Sequence, residues 1–275
     1  MQKNEKVNQL DQLKLKLGRK TRDHSLDAVP RSLSRGGRTL FRHGFDLWNA
    51  WEAGYLDPLG IPVSFILQVA YPATTPAIVE SKSFKLYLNH LTEQTFASQG
   101  DFMARVKTDL EACVGGSVTL SITASGCFHL PVSLSGTCLE EYAGKQADPV
   151  DIPEEPEVTE IELGPHQKKL SCFSRVFRSN CPVTGQPDWG NVWIGMSGGR
   201  EPDLRDLFCY LVAFRKVQEF HETCCEKIFS DLYLHCDPDD LTVACYFSRR
   251  GGCDINPVRS SSPLDIQWGQ RFWRQ

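Results

Sequence analysis

The spacing of apolar residues changes in the same order twice along this chain: strand, strand, helix, strand. One acidic, proline-bearing stretch separates the two runs. In the first run, Val63–Tyr71 is rich in β-branched and apolar residues, as a buried strand is, and Pro72 and Pro76 end it. Over Glu80–Leu88, Phe84, Leu86 and Leu88 alternate with Ser83, Lys85 and Tyr87, the period of a half-buried strand. Thr92–Val114 reads as a helix, because Phe96, Phe102, Val106 and Leu110 recur at roughly helical spacing. Thr92 is its candidate cap, Gly100 argues for an interruption, and Gly115-Gly116 stops it. Ser117–Thr123 then alternates, with Val118, Leu120 and Ile122 on one face. In the second run, Leu170–Phe177 and Asn191–Met196 are candidate strands. Asp203–His235 reads as helical through Leu207, Leu211, Phe214, Phe220, Ile228 and Leu232, and Leu241–Phe247 is a strand. Each run leaves room for a fourth strand. Antiparallel strands with helices on one face make an α+β class, and the repeated order points to an internal duplication with little residue identity between its halves.

The separator, Glu140–Glu162, holds nine acids, one lysine and three prolines, which is the composition of a solvated linker. The expected organisation is a basic arm over 1–44, a first unit over 45–139, the linker over 140–163 and a second unit over 164–275. Residues 1–42 hold eleven Lys or Arg against four Asp or Glu. Val7, Leu10, Leu13, Leu15 and Leu17 allow one weak helix there, and Arg31–Arg38 reads as flexible. An arm attracted to RNA is one reading. The reading taken is a solvated tail or a strap across a partner subunit, since a net charge of -4 gives the whole chain no pull toward nucleic acid. No apolar run approaches the roughly 18–20 residues of a membrane span, and Met1–Lys6 lacks the apolar core of a secretory signal. Eleven cysteines with no C-x-x-C spacing fit a reduced, cytoplasmic protein.

Chemistry concentrates in Arg178–Gly190. A β-rich run leads into it, and Pro182, Gly185 and Pro187 break regular structure. A thiol, Cys181, therefore stands at a strand-to-turn junction, and the same turn returns a carboxyl at Asp188. Such a pair can serve as nucleophile and proton donor. The plainer reading of Cys181 is a small buried hydrophobe, the usual state of a free cysteine. His221 lies three and four residues before Cys224 and Cys225 on one helical face, which opens a zinc reading, although no second Cys/His cluster has ligand spacing. The plainer reading there is a core histidine with buried thiols. No G-x-G-x-x-G occurs, so a Rossmann dinucleotide site is excluded.

Arg178–Gly190 resembles the catalytic segment of the long-form NADPH-dependent 7-cyano-7-deazaguanine reductases, the QueF family of nitrile reductases. Glu80–Leu88, Glu219–Glu222 and Arg249–Arg259 resemble three further segments of that family, in the same order. The resemblance implies two fused tunnelling-fold units that assemble as a symmetric homodimer. It implies a covalent thioimide on Cys181, with Asp188 as the general acid, and NADPH as the hydride source. It places substrate recognition at Val79, Glu80, Ser81, His221 and Glu222, and the cofactor at Ser81, Lys82, Arg250 and Gly251. Carboxylates suit a guanine-like edge, whose ring N–H and amino groups they accept, and cations suit the cofactor's phosphates. The implied partner is the small molecule 7-cyano-7-deazaguanine, with no metal, no membrane and no direct nucleic acid. Two rivals stay open on the residues alone: a zinc-dependent pterin-type cyclohydrolase on the same fold, and a non-catalytic purine- or tRNA-binding module.

Overall fold

Two strands from opposite ends of the chain pair in the middle of its sheet. Strand β2 (His43–Leu56) runs antiparallel to β12 (Cys253–Ser260), from Ala50 opposite Cys253 to His43 opposite Ser260. The computed structural model describes residues 24–35, 39–124, 132–146, 148–166, 169–272 and 274–275. From the seam outward, one side adds β3 (Pro62–Pro72) and β5 (Thr119–Ala124). The other adds β11 (Asp240–Phe247), β9 (Pro187–Ser197), β8 (Leu170–Asn180) and the short β6 (Thr137–Cys138). All pairings in this eight-stranded sheet are antiparallel except that of β6 with β8. Two small sheets pair β1 (Ala28–Pro30) with β4 (Ala77–Val79), and β7 (Leu163–His166) with β10 (Arg200–Pro202).

The class is α+β, and the repeated order is plain in the elements. Strands β2 and β3 precede helices α1 (Ser81–Leu91) and α2 (Gln99–Val114), then β5. Strands β8 and β9 precede α4 (Leu204–Ala213) and α5 (His221–Cys236), then β11 and β12; a one-turn helix α3 (Leu139–Ala143) lies between the runs. Each helix pair covers its own core. Phe102, Val106, Leu110 and Val114 of α2 are fully buried against Leu67, Val69 and Phe65, each burial stabilising by about 1.5–3 kcal/mol. Ile228, Phe229 and Leu232 of α5 pack on Leu241, Val243 and Cys245 in the second core.

Four local expectations change. Glu80–Leu88 is helix, not strand: the buried residues of α1 are Ser83, Phe84, Tyr87, Leu88 and Leu91, a 3.6-residue stripe, and the Glu80 carboxylate caps it by accepting from the Lys82 and Ser83 N–H groups. Thr92 therefore ends a helix instead of starting one, and Ser98 caps α2 through the Asp101 N–H. Asp203–His235 is two helices. Between them a 3₁₀ turn (Phe214–Lys216) and an extended stretch run beside β8, where Asn180 N–H donates to Val217 O at 2.9 Å and Glu219 N–H to Asn180 O at 3.2 Å. The flexible reading fails over Arg31–Arg35. Arg31 is buried and paired with Asp46, and Arg35 Nη2 meets Glu226 Oε1 at 2.5 Å. The weak helix expected within residues 7–17 and the tip 36–38 lie outside the described residues.

Candidate active site

The β2–β12 seam forms the floor of a pocket, and the starts of α1 and α5 with the β8–β9 and β11–β12 turns form its walls. Trp48 faces Ile255 across the seam, and Cys253 follows two residues along on the same face. One wall is Ile78–Ser81, where β4 passes into α1. The other carries Cys181, Pro182, Val183 and Asp188 from the β8–β9 turn, Glu219–Glu222 from the start of α5, and Ser248 and Arg250 from the β11–β12 turn. The break between α4 and α5 explains the second wall. It lets the chain run alongside Asn180 and deliver His221 and Glu222 next to Cys181; one uninterrupted helix would have carried them past.

The Cys181 turn is tightly tied. Its N–H donates to Gln186 O at 2.8 Å and its carbonyl accepts from Gly185 N–H at 2.9 Å, with Gly185 at a φ of 69° that favours glycine. Arg250 spans the turn, donating to Asp188 Oδ1 at 2.6 Å, Thr184 Oγ1 at 2.6 Å and Gln186 Oε1 at 2.9 Å. Cys181 is partly exposed at this mouth. The pocket's other thiol, Cys253, is buried on the floor, and that burial pushes it up to about 12.

Asp188 is only 7% exposed. Burial pushes its carboxyl up, but His221 Nε2 at 3.4 Å and Arg250 together outweigh burial and hold it below the usual range. Asp188 is therefore an anion at neutral pH in the ligand-free pocket, where a resting general acid would be protonated. Glu222 is the opposite case. Its burial, reinforced by the nearby Asp46, raises it to about 7, and its Oε1 has no hydrogen-bond partner. Glu80 is also raised, chiefly by burial, while both its oxygens accept backbone N–H groups of α1. Each oxygen keeps a second lone pair for a ligand.

Every expected site residue except Lys82 and Gly251 lines this one pocket. Those two stand at its rim, on α1 and on the β11–β12 turn. Gly251, at φ 61°, lies so close to α1 that a Cβ there would come within 2.9 Å of Lys85 Cδ. Lys82, Lys85, Arg249 and Arg250 are exposed around that contact, a donor set that fits an anionic, phosphate-bearing cofactor. The zinc reading finds no geometry. His221 packs at a tilt against Phe247, ring centroids 3.9 Å apart, and faces Asp188, whereas Cys225 Sγ points into the core toward Val243 O and Pro257 O. Among the described residues no three metal-ligating groups converge.

Known proteins resemble this chain over most of its length. The description "Nitrile reductase, 7-cyano-7-deazaguanine-reductase N-term" matches residues 19–122, and "QueF-like protein" matches residues 187–264. Two curated relatives from Coxiella burnetii, strains Dugway 5J108-111 and CbuK_Q154, are named NADPH-dependent 7-cyano-7-deazaguanine reductase. Each is 36% identical over 263 residues, covering 92% of this chain and 91% of the relative. The chain belongs to this reductase family. A solved apo structure of an archaeosine synthase QueF-Like protein overlaps 35% of this chain and 94% of its own, at 15% identity and a TM-score of 0.31, too slight a likeness to bear on the fold. The first family match begins well before Phe45, in keeping with the burial of Arg31. What sequence reasoning missed in this reductase is the floor. Trp48 lies on a strand whose alternation is blurred by a bulge between Ala50 and Ala53, and Cys253 and Ile255 sit inside a motif noted for its arginines.

Proposed function

We propose that this chain is an NADPH-dependent oxidoreductase that reduces the nitrile of 7-cyano-7-deazaguanine to the amine of 7-aminomethyl-7-deazaguanine, in queuosine biosynthesis. The observation that carries the reading is the convergence of Cys181, Asp188, His221, Glu222 and Glu80 on one pocket, in a chain 36% identical to reductases of that name. In this reading Cys181 sulfur attacks the nitrile carbon and the thiol proton passes to the nitrile nitrogen, giving a thioimide with no net loss of atoms. Asp188 starts ionised, so it relays the thiol's proton instead of supplying one of its own. His221, within 3.4 Å of Asp188, holds that carboxylate in place. The Glu222 carboxylate accepts from the ring N–H and amino groups of the heterocycle, and Val79, Glu80 and Ser81 bound it on the opposite wall. NADPH, when bound, supplies hydride; Ser81, Lys82, Arg250 and Gly251 are the residues that hold it. Nitrile to amine takes up two hydrides and two protons, and the cysteine leaves as the free thiol it began as.

The two-unit division with its arm and linker, a homodimer and a cytoplasmic location complete the proposal. The eight-stranded sheet ends on β5 and β6, whose outer edges pair with no other strand among the described residues and suit closure by a second copy. No described helix is long and apolar enough to cross a membrane. The test is stoichiometric. Purified protein with the cyano-deazaguanine should oxidise two NADPH per amine formed and need no added metal. One NADPH oxidised per nitrile consumed would mean that reduction stops at the imine and contradicts the amine product, and a rate abolished by EDTA and restored by zinc favours the cyclohydrolase.

A further inference from the structure

When ionised, the pocket's carboxylates only accept hydrogen bonds, yet the proposed substrate also presents an acceptor, its ring carbonyl. We infer that Trp48 is a specificity-determining residue whose indole N–H donates to that lactam carbonyl while Glu222 accepts from the N–H beside it. The inference rests on the nitrile-reductase reading and adds a residue to it.

Trp48 lines the pocket, is 1% exposed, and its Nε1 has no hydrogen-bond partner. A buried indole N–H ordinarily finds an acceptor, because leaving one unmet is costly. Two more orphaned polar atoms belong to the lining: Glu222 Oε1, an acceptor, and His221 Nε2, which faces Asp188 at 3.4 Å. One unmet donor and one unmet acceptor in the same pocket complement a carbonyl next to a ring N–H. Trp48 is also rigidly held. Its strand is paired on both sides, to Ile255 on β12 and Val69 on β3, and Phe84 of α1 packs edge-on against the indole at 5.5 Å. Trp48 and Glu222 line the same pocket, and Asp46, two residues before Trp48 on the same strand, helps to raise Glu222. A heterocycle with an amino group in place of the carbonyl would turn a donor toward this donor. The pair therefore selects lactams over amidines, and a site built to bond a polar group rejects analogues that lack it.

The test measures non-covalent binding by calorimetry in the Cys181→Ala background, so that capture does not mask affinity. The ligands are 7-cyano-7-deazaguanine and its analogue with hydrogen in place of the carbonyl oxygen. The proteins carry tryptophan, phenylalanine or the isosteric benzothienylalanine at position 48, the last keeping shape and removing only the N–H. With tryptophan the lactam should bind roughly tenfold or more tightly than the deoxygenated analogue. With either replacement lactam binding should weaken and the preference should shrink by the same factor, leaving only the part due to the ring N–H beside Glu222, which the analogue also lacks. An unchanged preference, or an equal loss for both ligands, overturns the role of Trp48 and leaves the reductase reading standing. Failure of both ligands to bind the tryptophan protein sinks the reductase reading, and this inference with it.

Discussion

Glu222 and Asp188 are buried carboxyls a few residues' reach apart, and their surroundings push them in opposite directions. Burial beside Asp46 takes Glu222 to about 7, above the ordinary value of about 4.3. The folded protein thus keeps a proton there that the unfolded chain releases, and stability is lost as pH rises from about 4 to about 7. Glu222→Gln should therefore raise the melting temperature at pH 8 and leave it unchanged near pH 4. The same substitution removes a ligand acceptor. Nitrile binding to Cys181→Ala protein should strengthen with pH through about 7, and adding Glu222→Gln should make it weak and flat across that range, as calorimetry at pH 6 and 8 will read. Asp188 answers to His221 and Arg250 instead, and in the proposed mechanism removing it breaks the proton path. Asp188→Ala should lower turnover by roughly a hundredfold or more. A loss below tenfold would assign proton transfer elsewhere.

Among the elements, the arm's described end does unexpected work. Arg31 and Arg259 flank Asp46, which is fully buried, and Arg259 and Arg35 both reach Glu226 on α5. Burial would raise both acids, but the guanidiniums hold them below the usual range. Arg31→Ala strips one of the two cations from a buried charge, so it should destabilise by about 3–5 kcal/mol, read by chemical denaturation. A loss under 1 kcal/mol would return residues 31–35 to the status of a solvated strap. The sequence hid this because basic residues among Ser and Gly look flexible, and their partners lie far along the chain. Helix α1 was legible in principle: Ser83, Phe84, Tyr87, Leu88 and Leu91 keep helical period, but Phe84, Leu86 and Leu88 also alternate, and glutamate is an uncommon cap. The break at Val217–Phe220 carries no Gly or Pro, since its cause is pairing with Asn180.

In the molecule as a whole, the pairing of β2 with β12 makes the site. Neither core alone is flanked by a complete pocket: Trp48 and Val79–Ser81 come from early in the chain, and Cys181, Asp188, His221 and Glu222 from its later part. The strand β2–β12 pairing joins two cores into one sheet, so the protein should unfold in a single calorimetric transition, and two separated transitions would show the seam to be weak. Cys181, Asp188, Val79–Ser81 and His221–Glu222 stood out in the sequence because each sits in a local motif; their meeting in one pocket was not legible, because the seam pairs strands from opposite ends of the chain. The most direct test of the account is covalent capture. Intact-protein mass spectrometry of the wild type with 7-cyano-7-deazaguanine and no NADPH should show one substrate mass added. Cys181→Ala should show none, and Cys172→Ser, Cys224→Ser and Cys225→Ser should keep the adduct. An adduct that survives Cys181→Ala and vanishes in Cys224→Ser or Cys225→Ser would contradict it.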